Sequence, residues 1–241
     1  MRSETPSAES GSGRAKPSAK DPWDLPDVSG LVVGILGGTG DQGSGLAYRL
    51  GRAGQRVIVG SRSAERARSA AECLGHGVTG TSHADCARRS DIVIVAVPWD
   101  GHPATLASLH KELAGKLVVD CVNPLGFGAK DAYALKPAEG SAAEQAAALL
   151  PDSRVTAAFH HLSAVLPQDP AVGRIDTDVM VLGDSRADTD AVQALVGRIP
   201  GMRGVCAGRL RGAHQVESLT ASLISVNRRY KAHAGLRLTD V

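Results

Sequence analysis

The sequence predicts an α/β protein with a doubly wound, Rossmann-type parallel sheet, followed by a smaller C-terminal domain of α+β or helical character. Short runs of branched apolar residues alternate with helical patterns over residues 31–159, which is typical of parallel strands covered by helices on both faces. The first of these strands is followed directly by a glycine-rich turn and a helix, over residues 31–53. Together, these two observations predict the doubly wound sheet.

The glycine-rich turn follows the strand at residues 31–36 and precedes a predicted helix at residues 42–53. From Gly38 the spacing is G-x-G-x-x-G, with the later glycines at Gly40 and Gly43. Glycine permits the tight turn, the close approach of backbone to a pyrophosphate and the packing of the helix on the strand. The helix N-terminus then favours the negative charge of the phosphates. A tight turn without a ligand is the alternative, but the position between strand and helix favours a dinucleotide site.

The later elements follow from the same alternation. Further strands are predicted at residues 56–60, 78–80, 91–98, 117–124, 154–159, 177–184 and 203–206. Helices are predicted at residues 64–74, from His102-Pro103 onward, after the capping residues Ser141 and Ser185, and over residues 212–232. The long loop at residues 125–140 is typical of a lid or a crossing connection.

Three regions are predicted to divide the chain. Residues 1–30 are rich in serine, proline and glycine and form a disordered N-terminal tail, with disorder expected to about residue 20 and docking possible for Trp23 and Leu25. Residues 31–168 form the dinucleotide-binding domain. Residues 169–241 form the smaller C-terminal domain, which ends in a long helix.

The last predicted helix carries an apolar seam and a basic cluster. The seam is narrow and suits docking against the sheet domain or a second subunit; its members are Val216, Leu219, Leu223, Val226 and Tyr230. The basic cluster consists of Arg228, Arg229 and Lys231, and its simplest interpretation is a solvated C-terminal turn that opposes the helix dipole.

Composition excludes several classes of function. The net charge of +2 implies no strong attraction to nucleic acid or anionic lipid, and no apolar run reaches the length of a membrane span. The N-terminus has no apolar signal segment. Four scattered cysteines form no metal-binding pair and are expected to be buried free thiols of a cytoplasmic protein; they are Cys73, Cys86, Cys121 and Cys206. The histidines show no metal-ligand spacing, so no metal site is predicted.

The end of the second strand predicts which dinucleotide is bound. In NAD-binding versions of this fold an acidic residue at this place holds the ribose hydroxyls. This chain has Ser61 and Arg62 instead, with Arg66 one helical turn later. A hydroxyl and two guanidinium groups can hold a 2′-phosphate, whereas a carboxylate would repel it. The position favours NADP(H) over NAD(H), although a solvated arginine-rich helix start is the alternative.

At this point the chain resembles one family, the reductases that pass a hydride between NADP(H) and the deazaflavin coenzyme F420 (8-hydroxy-5-deazaflavin). The resemblance is carried by GILGGTGDQGSGLAYRL, VGSR, AVPWD, AAFHHLSA and QVESLTASLISVNRRYK, and it covers essentially residues 31–241. Ferric reductase domains and imine-type reductases are more distant relatives that share the first domain. The long polar tail departs from the family pattern without touching these motifs.

The resemblance implies roles for particular residues. The turn residues Thr39, Gly40, Asp41 and Gln42 would surround the NADP phosphates, and Ser61, Arg62 and Arg66 would hold the 2′-phosphate. Other predicted cofactor contacts are Gly38, Gly43, Pro98, Trp99, Asn123, His160, Leu162 and Ala164. The basic cluster could attract the anionic tail of F420. The family is generally dimeric, so a cytoplasmic homodimer with two small-molecule coenzymes as its ligands is expected.

No residue is assigned a certain catalytic role, because direct hydride transfer between two stacked rings needs position rather than an acid–base pair. His160, at a predicted strand end, is a possible ring contact, but a structural hydrogen bond is equally consistent with its position. The role of His161 is left open, as is the direction of hydride transfer in the cell. Two alternatives remain: an NADPH-dependent reductase of a flavin or an imine, and a non-catalytic regulator that senses NADP(H).

Overall fold

The computed structural model describes residues 21–241, so the predicted disorder to about residue 20 lies outside the described residues. In chain order the elements are β1 (Val32–Leu36), α1 (Asp41–Arg52), β2 (Arg56–Ser61), α2 (Ala64–Leu74), β3 (Thr79–Ser82), α3 (His83–Arg89), β4 (Ile92–Val95), α4 (His102–Ser108), α5 (His110–Leu113), β5 (Leu117–Asp120), β6 (Leu125–Phe127), β7 (Ala132–Ala134), α6 (Ala142–Leu149), β8 (Arg154–Ala157), α7 (Val165–Gln168), β9 (Thr177–Gly183), α8 (Arg186–Gly197), β10 (Met202–Gly208) and α9 (Ala213–Tyr230).

Eight of these strands form one sheet in the order β10-β9-β8-β5-β4-β1-β2-β3. Six neighbouring strands of this sheet are all parallel to one another: β8, β5, β4, β1, β2 and β3. This arrangement confirms the predicted doubly wound fold class. The chain builds outward from β1 in one direction and from β4 in the other. In such sheets the crevice outside the carboxyl ends of the two central strands is where ligands bind.

Alternate residues of the central strands face opposite sides of the sheet, and helices cover both sides. Val33, Ile35, Ile92 and Ile94 belong to one buried cluster, whereas Leu36, Val93 and Val95 belong to the other. Strands buried on both faces must be apolar throughout, which explains the continuous apolar runs in the sequence. The core therefore has two layers, with the sheet between them.

The C-terminal segment extends the same sheet instead of forming a sheet of its own. Strand β9 runs antiparallel to β8, pairing Thr156 with Gly183 and Ala157 with Leu182. Strand β10 is parallel to β9, and α8 connects the two. The predicted domain boundary after residue 168 stays a prediction, and it falls between the parallel strands and this added unit.

Three strands, β4, β5 and β8, end earlier in the structure than the apolar runs from which they were predicted. In the sheet, Leu36, Val95, Asp120 and Ala157 form one row of paired residues at which β1, β4, β5 and β8 all end. The apolar residues that follow are buried beneath loops and not within the sheet; among them are Val97, Val122 and Phe159. The loops after this row build the candidate site.

Two other segments differ from the predictions. Helix α3 was not predicted from residues 83–89; its N-terminus is capped by the Ser82 hydroxyl, which accepts a hydrogen bond from the Asp85 amide at 3.2 Å. The predicted long loop contains the antiparallel hairpin of β6 and β7. The cysteine prediction is confirmed for Cys86 and Cys121, which are buried, but wrong for Cys73 and Cys206, which are exposed.

Residues 21–30, which the prediction included in the tail, run along the folded chain. Val28 is buried in the first core cluster, and Gln55 donates hydrogen bonds to the carbonyls of Val28 and Leu31 at 3.0 and 2.6 Å. The Trp23 ring lies under the guanidinium of Arg203, 5.5 Å from centroid to carbon. The predicted docking of Trp23 agrees with this contact.

A buried arginine holds the segment around α7 against α1. Arg49 is 2 % exposed, and its guanidinium donates to the carbonyls of Leu166, Pro167, Asp169 and Val172. Four carbonyls on one guanidinium leave the charge well solvated by the protein, because hydrogen bonds to a charged donor are stronger than neutral ones. The segment after β8 is thereby fixed over the start of α1.

His161 joins the end of β8 to β9. Its Nε2 accepts a hydrogen bond from the Met180 amide at 3.2 Å, which requires that nitrogen to be unprotonated. Burial lowers the pKa of His161 to about 4. The position assigns this side chain a structural role.

This contact predicts acid sensitivity. Because the folded pKa is depressed, the stability that neutral His161 contributes is complete above pH 6.5 and is lost as the pH falls through 4. The loss amounts to at most about 3 kcal/mol. We expect His161→Gln, whose amide oxygen can accept the same hydrogen bond, to lose stability less steeply than the wild type between pH 6.5 and 4 in urea unfolding. His110→Gln, at an exposed site, is the matched control, and equal slopes in His161→Gln and the wild type would contradict the assignment.

Candidate active site

A cleft of about 790 Å³ lies at the carboxyl ends of β1, β2 and β4, where the two halves of the sheet meet. Its lining comes from the glycine-rich turn, the start of α2, the start of α3 and the loop after β4. The lining residues are Gly37, Thr39, Gly40, Asp41, Gln42, Ser61, Arg62, Ser63, Arg66, His83, Ala96, Val97, Pro98, Gly101 and Thr105. Among them, Arg62 and Arg66 carry positive charge and only Asp41 carries a carboxylate. The described lining therefore favours an anionic ligand.

The glycines of the turn divide into two kinds. A Cβ at Gly43 would lie 2.5 Å from the Gly37 carbonyl oxygen, and one at Gly38 would lie 2.6 Å from the Val59 side chain. These two glycines are therefore required by the packing of α1 on the strands. Gly40 is exposed at the N-cap of α1, and the nearest atom to its Cβ position is 3.5 Å away. Its small size is required by no neighbour within the chain, which is what a backbone that approaches a ligand would show.

The N-terminus of α1 is open to the cleft. No side chain of the described residues caps it, and its first turn carries Asp41 and Gln42, both of which line the cleft. The first N–H groups of a helix have no partner within the helix and favour a negative charge. The turn and this helix end therefore present N–H groups without a helical partner to the cleft, where the sequence predicts a phosphate site.

At the other end of the cleft, two arginines stand without acidic partners. Arg62 and Arg66 are exposed, and neither forms an ion pair with any described residue. Ser61 is buried at the end of β2, and Ser63 caps α2 by accepting a hydrogen bond from the Arg66 amide at 3.2 Å. The cap fixes the first turn of α2 and with it the backbone from which Arg66 extends.

His83 completes this end of the cleft and was not predicted. Its Nε2 accepts from the Gly37 amide at 3.4 Å. Burial and the positive charge of Arg62 lower the pKa of His83, which keeps the ring neutral and able to accept that hydrogen bond. The ring therefore ties α3 to the glycine-rich turn.

A second, smaller cleft of about 300 Å³ adjoins the first. It is lined by the segment after β8, the loop after β5, and one face of α9: Gln42, Asn123, Leu125, His160, His161, Leu162, Ser163, Ala164, Thr220, Leu223, Ile224, Asn227 and Ala234. Gln42 lines both clefts, so they meet at the start of α1. The described lining of the second cleft contains no lysine, tyrosine, aspartate or glutamate.

The floor between the two clefts is a pair of peptide groups held by three side chains. Gln42 donates to the Phe159 carbonyl at 3.0 Å, and Asn123 and Thr220 donate to the His160 carbonyl at 2.9 and 3.0 Å. Phe159 is fully buried with a φ of 67°, a conformation that a residue other than glycine rarely adopts. Such backbone persists only when surrounding contacts determine it, and here three elements do so.

The His160 imidazole faces away from the second cleft. Its side chain is 0 % exposed, and neither ring nitrogen has a hydrogen-bond partner among the described residues. The part of His160 that reaches the cleft is therefore its backbone. Below it lies a buried pair in which His102 Nε2 is 2.7 Å from Asp120 Oδ2, and Glu217 Oε1 lies 4.0 Å from His160 Nε2.

The structure places the other predicted site residues as follows. Eight line the first cleft: Thr39, Gly40, Asp41, Gln42, Ser61, Arg62, Arg66 and Pro98. Asn123, His160, Leu162 and Ala164 line the second. Gly38 lies in the turn and Gly43 in α1, and neither lines a cleft. Trp99 lies outside both linings, with its ring stacked on His102 at 5.7 Å between centroids.

The face of α9 is the main part of the site that sequence analysis missed. Thr220, Leu223, Ile224 and Asn227 are spaced at i, i+3, i+4 and i+7, so they share one side of the helix. The predicted apolar seam lies on an adjacent side of the same helix and shares Leu223 with this face. A polar residue at each end of an apolar helical face is the signal that could have indicated a ligand-facing surface.

No group of three or more potential metal ligands occurs within residues 21–241. Among the helices of the same range, none combines the length and the apolar character needed to cross a bilayer.

Comparison with known proteins gives a consistent result. Residues 32–124 match the model of a family described as NADP oxidoreductase, coenzyme F420-dependent. The chain is 37 % identical over 223 residues to the F420-dependent NADP reductase of Methanothermobacter marburgensis, an alignment that covers 88 % of this chain and 99 % of the relative. The enzyme of the same name from Methanocaldococcus jannaschii is 34 % identical over the same length and share of this chain, and 99 % of it is covered.

A solved structure supports the fold over the same range. The crystal structure described as a putative F420-dependent NADP-reductase from Arthrobacter sp. FB24 superposes with a TM-score of 0.76 at 24 % identity, covering 87 % of this chain and 100 % of the other. Because relatives above 30 % identity are covered almost completely, the relationship extends beyond the first domain to the segments that build the second cleft. This chain belongs to the family of F420-dependent NADP reductases.

Proposed function

We propose that the protein transfers a hydride directly between NADP(H) and the deazaflavin coenzyme F420. The observation that supports this function best is the pair of clefts that meet at Gln42. One cleft is built for a phosphorylated dinucleotide, and the adjoining one is lined by apolar and neutral polar groups. Two ring systems bound in these clefts would approach each other at the junction, as direct hydride transfer requires.

The first cleft fits NADP(H) on the evidence of its own residues. The uncapped start of α1 and the open position at Gly40 suit the pyrophosphate. Arg62, Arg66 and the hydroxyls of Ser61 and Ser63 suit the 2′-phosphate, since the two guanidinium groups have no acidic partner among the described residues. The nicotinamide end would then extend along Pro98 toward Gln42.

The second cleft fits the deazaflavin ring. The Phe159–His160 peptide pair would lie beneath the reacting rings, and α9 would supply one wall through Leu223 and Ile224. When bound, NADP(H) and F420 supply the hydride donor and acceptor themselves. The chain holds the two rings in place and excludes water, which is its expected share of such a reaction.

The alternatives receive less support from the site. An imine reductase needs a proton donor near the nicotinamide, and the described lining of the second cleft offers no acidic, lysine or tyrosine side chain. A regulator without turnover would not need a second cleft beside the first. The basic residues at the end of α9, which are Arg228, Arg229 and Lys231, are exposed and could attract the anionic tail of F420.

The assembly proposed is a homodimer in the cytoplasm. Large exposed apolar side chains lie on the β6–β7 hairpin and on α9, which packs against β7; they are Phe127, Tyr133, Leu135, Val226 and Tyr230. An apolar surface shared by two packed elements is typical of a subunit contact. The four cysteines are free thiols, as expected in a reducing compartment.

The hydride transfer itself is the first test. Wild-type protein mixed with NADPH and oxidised F420 should bleach the deazaflavin absorbance in step with NADPH consumption. FMN and a cyclic imine serve as competing acceptors. Turnover of either with none of F420 would overturn the proposed function.

The choice of dinucleotide is tested at Arg62. Arg62→Ala removes a charged hydrogen-bond donor from the 2′-phosphate, so the KM for NADPH should rise about 10- to 100-fold while that for NADH stays nearly constant. Arg68→Ala, at an exposed site on α2, the helix that follows Arg62, but outside the cleft, should change neither. Equal loss of both dinucleotides in Arg62→Ala would contradict the phosphate clamp.

The dimer is tested by mass. Sedimentation equilibrium should give twice the chain mass for the wild type and one chain mass for Tyr230→Glu, because a carboxylate would be buried in the contact. Val165→Glu alters another exposed apolar residue, on α7, and should leave the dimer intact. A monomeric wild type would overturn this proposal.

A further inference from the structure

Glu217 is a buried carboxylate at the point where four parts of the fold meet. It lies on α9 and is 3 % exposed. Its two oxygens accept hydrogen bonds from the Ala142 and Ala143 amides at 3.0 and 3.2 Å, at the N-terminus of α6. The same carboxylate is 4.0 Å from the His160 ring, at the end of β8. No feature of hydride transfer between two rings requires a carboxylate here.

The neighbouring buried pair is already satisfied. The His102 ring donates to Asp120 at 2.7 Å and to the Gln145 side-chain oxygen at 3.0 Å, and Asp120 accepts from the Val122 amide with its other oxygen. Burial lowers the pKa of His102, but these acceptors and the charge of Asp120 outweigh burial, so its pKa is raised. Both ring nitrogens of His102 and both oxygens of Asp120 therefore already have a hydrogen-bond partner.

Glu217 is a carboxylate that faces the His160 ring, with its Oε1 4.0 Å from His160 Nε2. Neither ring nitrogen of His160 has a hydrogen-bond partner among the described residues, which is unfavourable for a buried polar group. Burial lowers the pKa of His160 to about 4, although Asp120 opposes this, so the ring is neutral near pH 7. A protonated Glu217 could donate to that ring after a movement of about 1 Å, the difference between the 4.0 Å separation and a hydrogen bond.

Glu217 takes up a proton in the range where the enzyme would operate. Burial raises its pKa to about 7; the Ala142 and Ala143 amides oppose this, the charge of Asp120 adds to it, and His102 opposes it. The titratable and charged groups packed around the carboxylate are therefore His102 on α4, Asp120 on β5 and His160 on the segment after β8. Helix α6 contacts it through the Ala142 and Ala143 amides, and its neutral Gln145 bonds His102.

Both ends of residue 160 depend on α9. Thr220, three residues after Glu217, donates to the His160 carbonyl, and Glu217 faces the His160 ring. One turn of α9 thus contacts the His160 carbonyl through Thr220 and faces the His160 ring through Glu217. A change in the charge of Glu217 therefore acts on the floor through His160 alone.

We propose that Glu217 is a positioning residue for the F420 cleft: its carboxyl group is the partner that faces the His160 side chain, and its ionisation places a negative charge next to the floor. This inference rests on the proposed function, because it names F420 as the ligand whose affinity changes. Ionised Glu217 would repel an anionic deazaflavin. This repulsion weakens F420 binding as the pH rises through about 7.

Binding measured by F420 fluorescence in the presence of NADP⁺ tests this inference without turnover. For the wild type, the Kd of F420 should rise about threefold or more between pH 6 and 8.5, because a buried charge beside the cleft is only partly screened by solvent. Glu217→Gln, which cannot ionise, should show a flatter profile. Ionisation of F420 itself is common to both proteins and cancels in the comparison.

The control variant is Glu144→Gln. It removes another carboxylate from the first turn of α6, one that bonds Ser141 and does not face His160. Its profile should follow the wild type. The pH profile of NADP⁺ affinity should be the same in all three proteins, since the first cleft contains neither residue.

A stability measurement reads the buried proton directly. Because the folded pKa of Glu217 is raised, its contribution to stability is complete below pH 4.5 and is lost as the pH rises through about 7. Glu217→Gln should lack this loss in urea unfolding. If Glu217→Gln does not fold, Glu217→Met, which also carries no ionisable group, takes its place in the F420 titration and should show the same flattened profile.

The outcomes separate the two proposals. A Glu217→Gln profile that matches the wild type would overturn the positioning role, as would equal weakening of F420 and NADP⁺ together with lost stability, which a merely structural residue would show. Wild-type protein that binds F420 with the expected pH profile but transfers no hydride would refute the proposed function and leave the role of Glu217 standing.

Discussion

The hydrogen bonds to the Phe159 and His160 carbonyls are the interactions on which the site depends. They come from Gln42 at the start of α1, from Asn123 after β5 and from Thr220 on α9, so they join three separate parts of the fold at one peptide pair. The strained φ of Phe159 turns the chain out of the sheet at this point. These bonds fix the peptide pair between the two clefts, while Arg49 holds the following segment against α1.

The C-terminal segment gains its importance from the same contacts. Strands β9 and β10 widen the sheet, and the chain then returns through α9 to the carboxyl ends of β5 and β8. Parallel sheets of this kind bind ligands at that edge, but the edge alone forms an open crevice. The face of α9 converts the crevice into a second cleft with its own wall.

Local patterns predicted much of the fold and the first cleft. The glycine spacing, the strand end at Ser61-Arg62 and the serine caps at Ser141 and Ser185 each act within a few residues, and the structure has the predicted turn, cleft lining and caps. The second cleft depends on where α9 docks and on which way the His160 ring points. Those features are set by packing between residues far apart in the chain, such as His160 and Thr220, which are 60 positions apart, and no local pattern records them.

The buried charges beneath the floor are consistent with a site that needs precise position more than stability. A hydrophobic cluster in place of His102, Asp120 and Glu217 would avoid the desolvation of three ionisable groups. Ionisable groups, however, accept and donate in defined directions, and His102 uses both nitrogens to join α4, β5 and α6. Glu217 extends this arrangement to α9 through the α6 amides. These hydrogen bonds join α4, β5, α6 and α9 beside the floor of the site. Directional bonds of this kind fix the position of the floor relative to the first cleft more tightly than apolar contacts could.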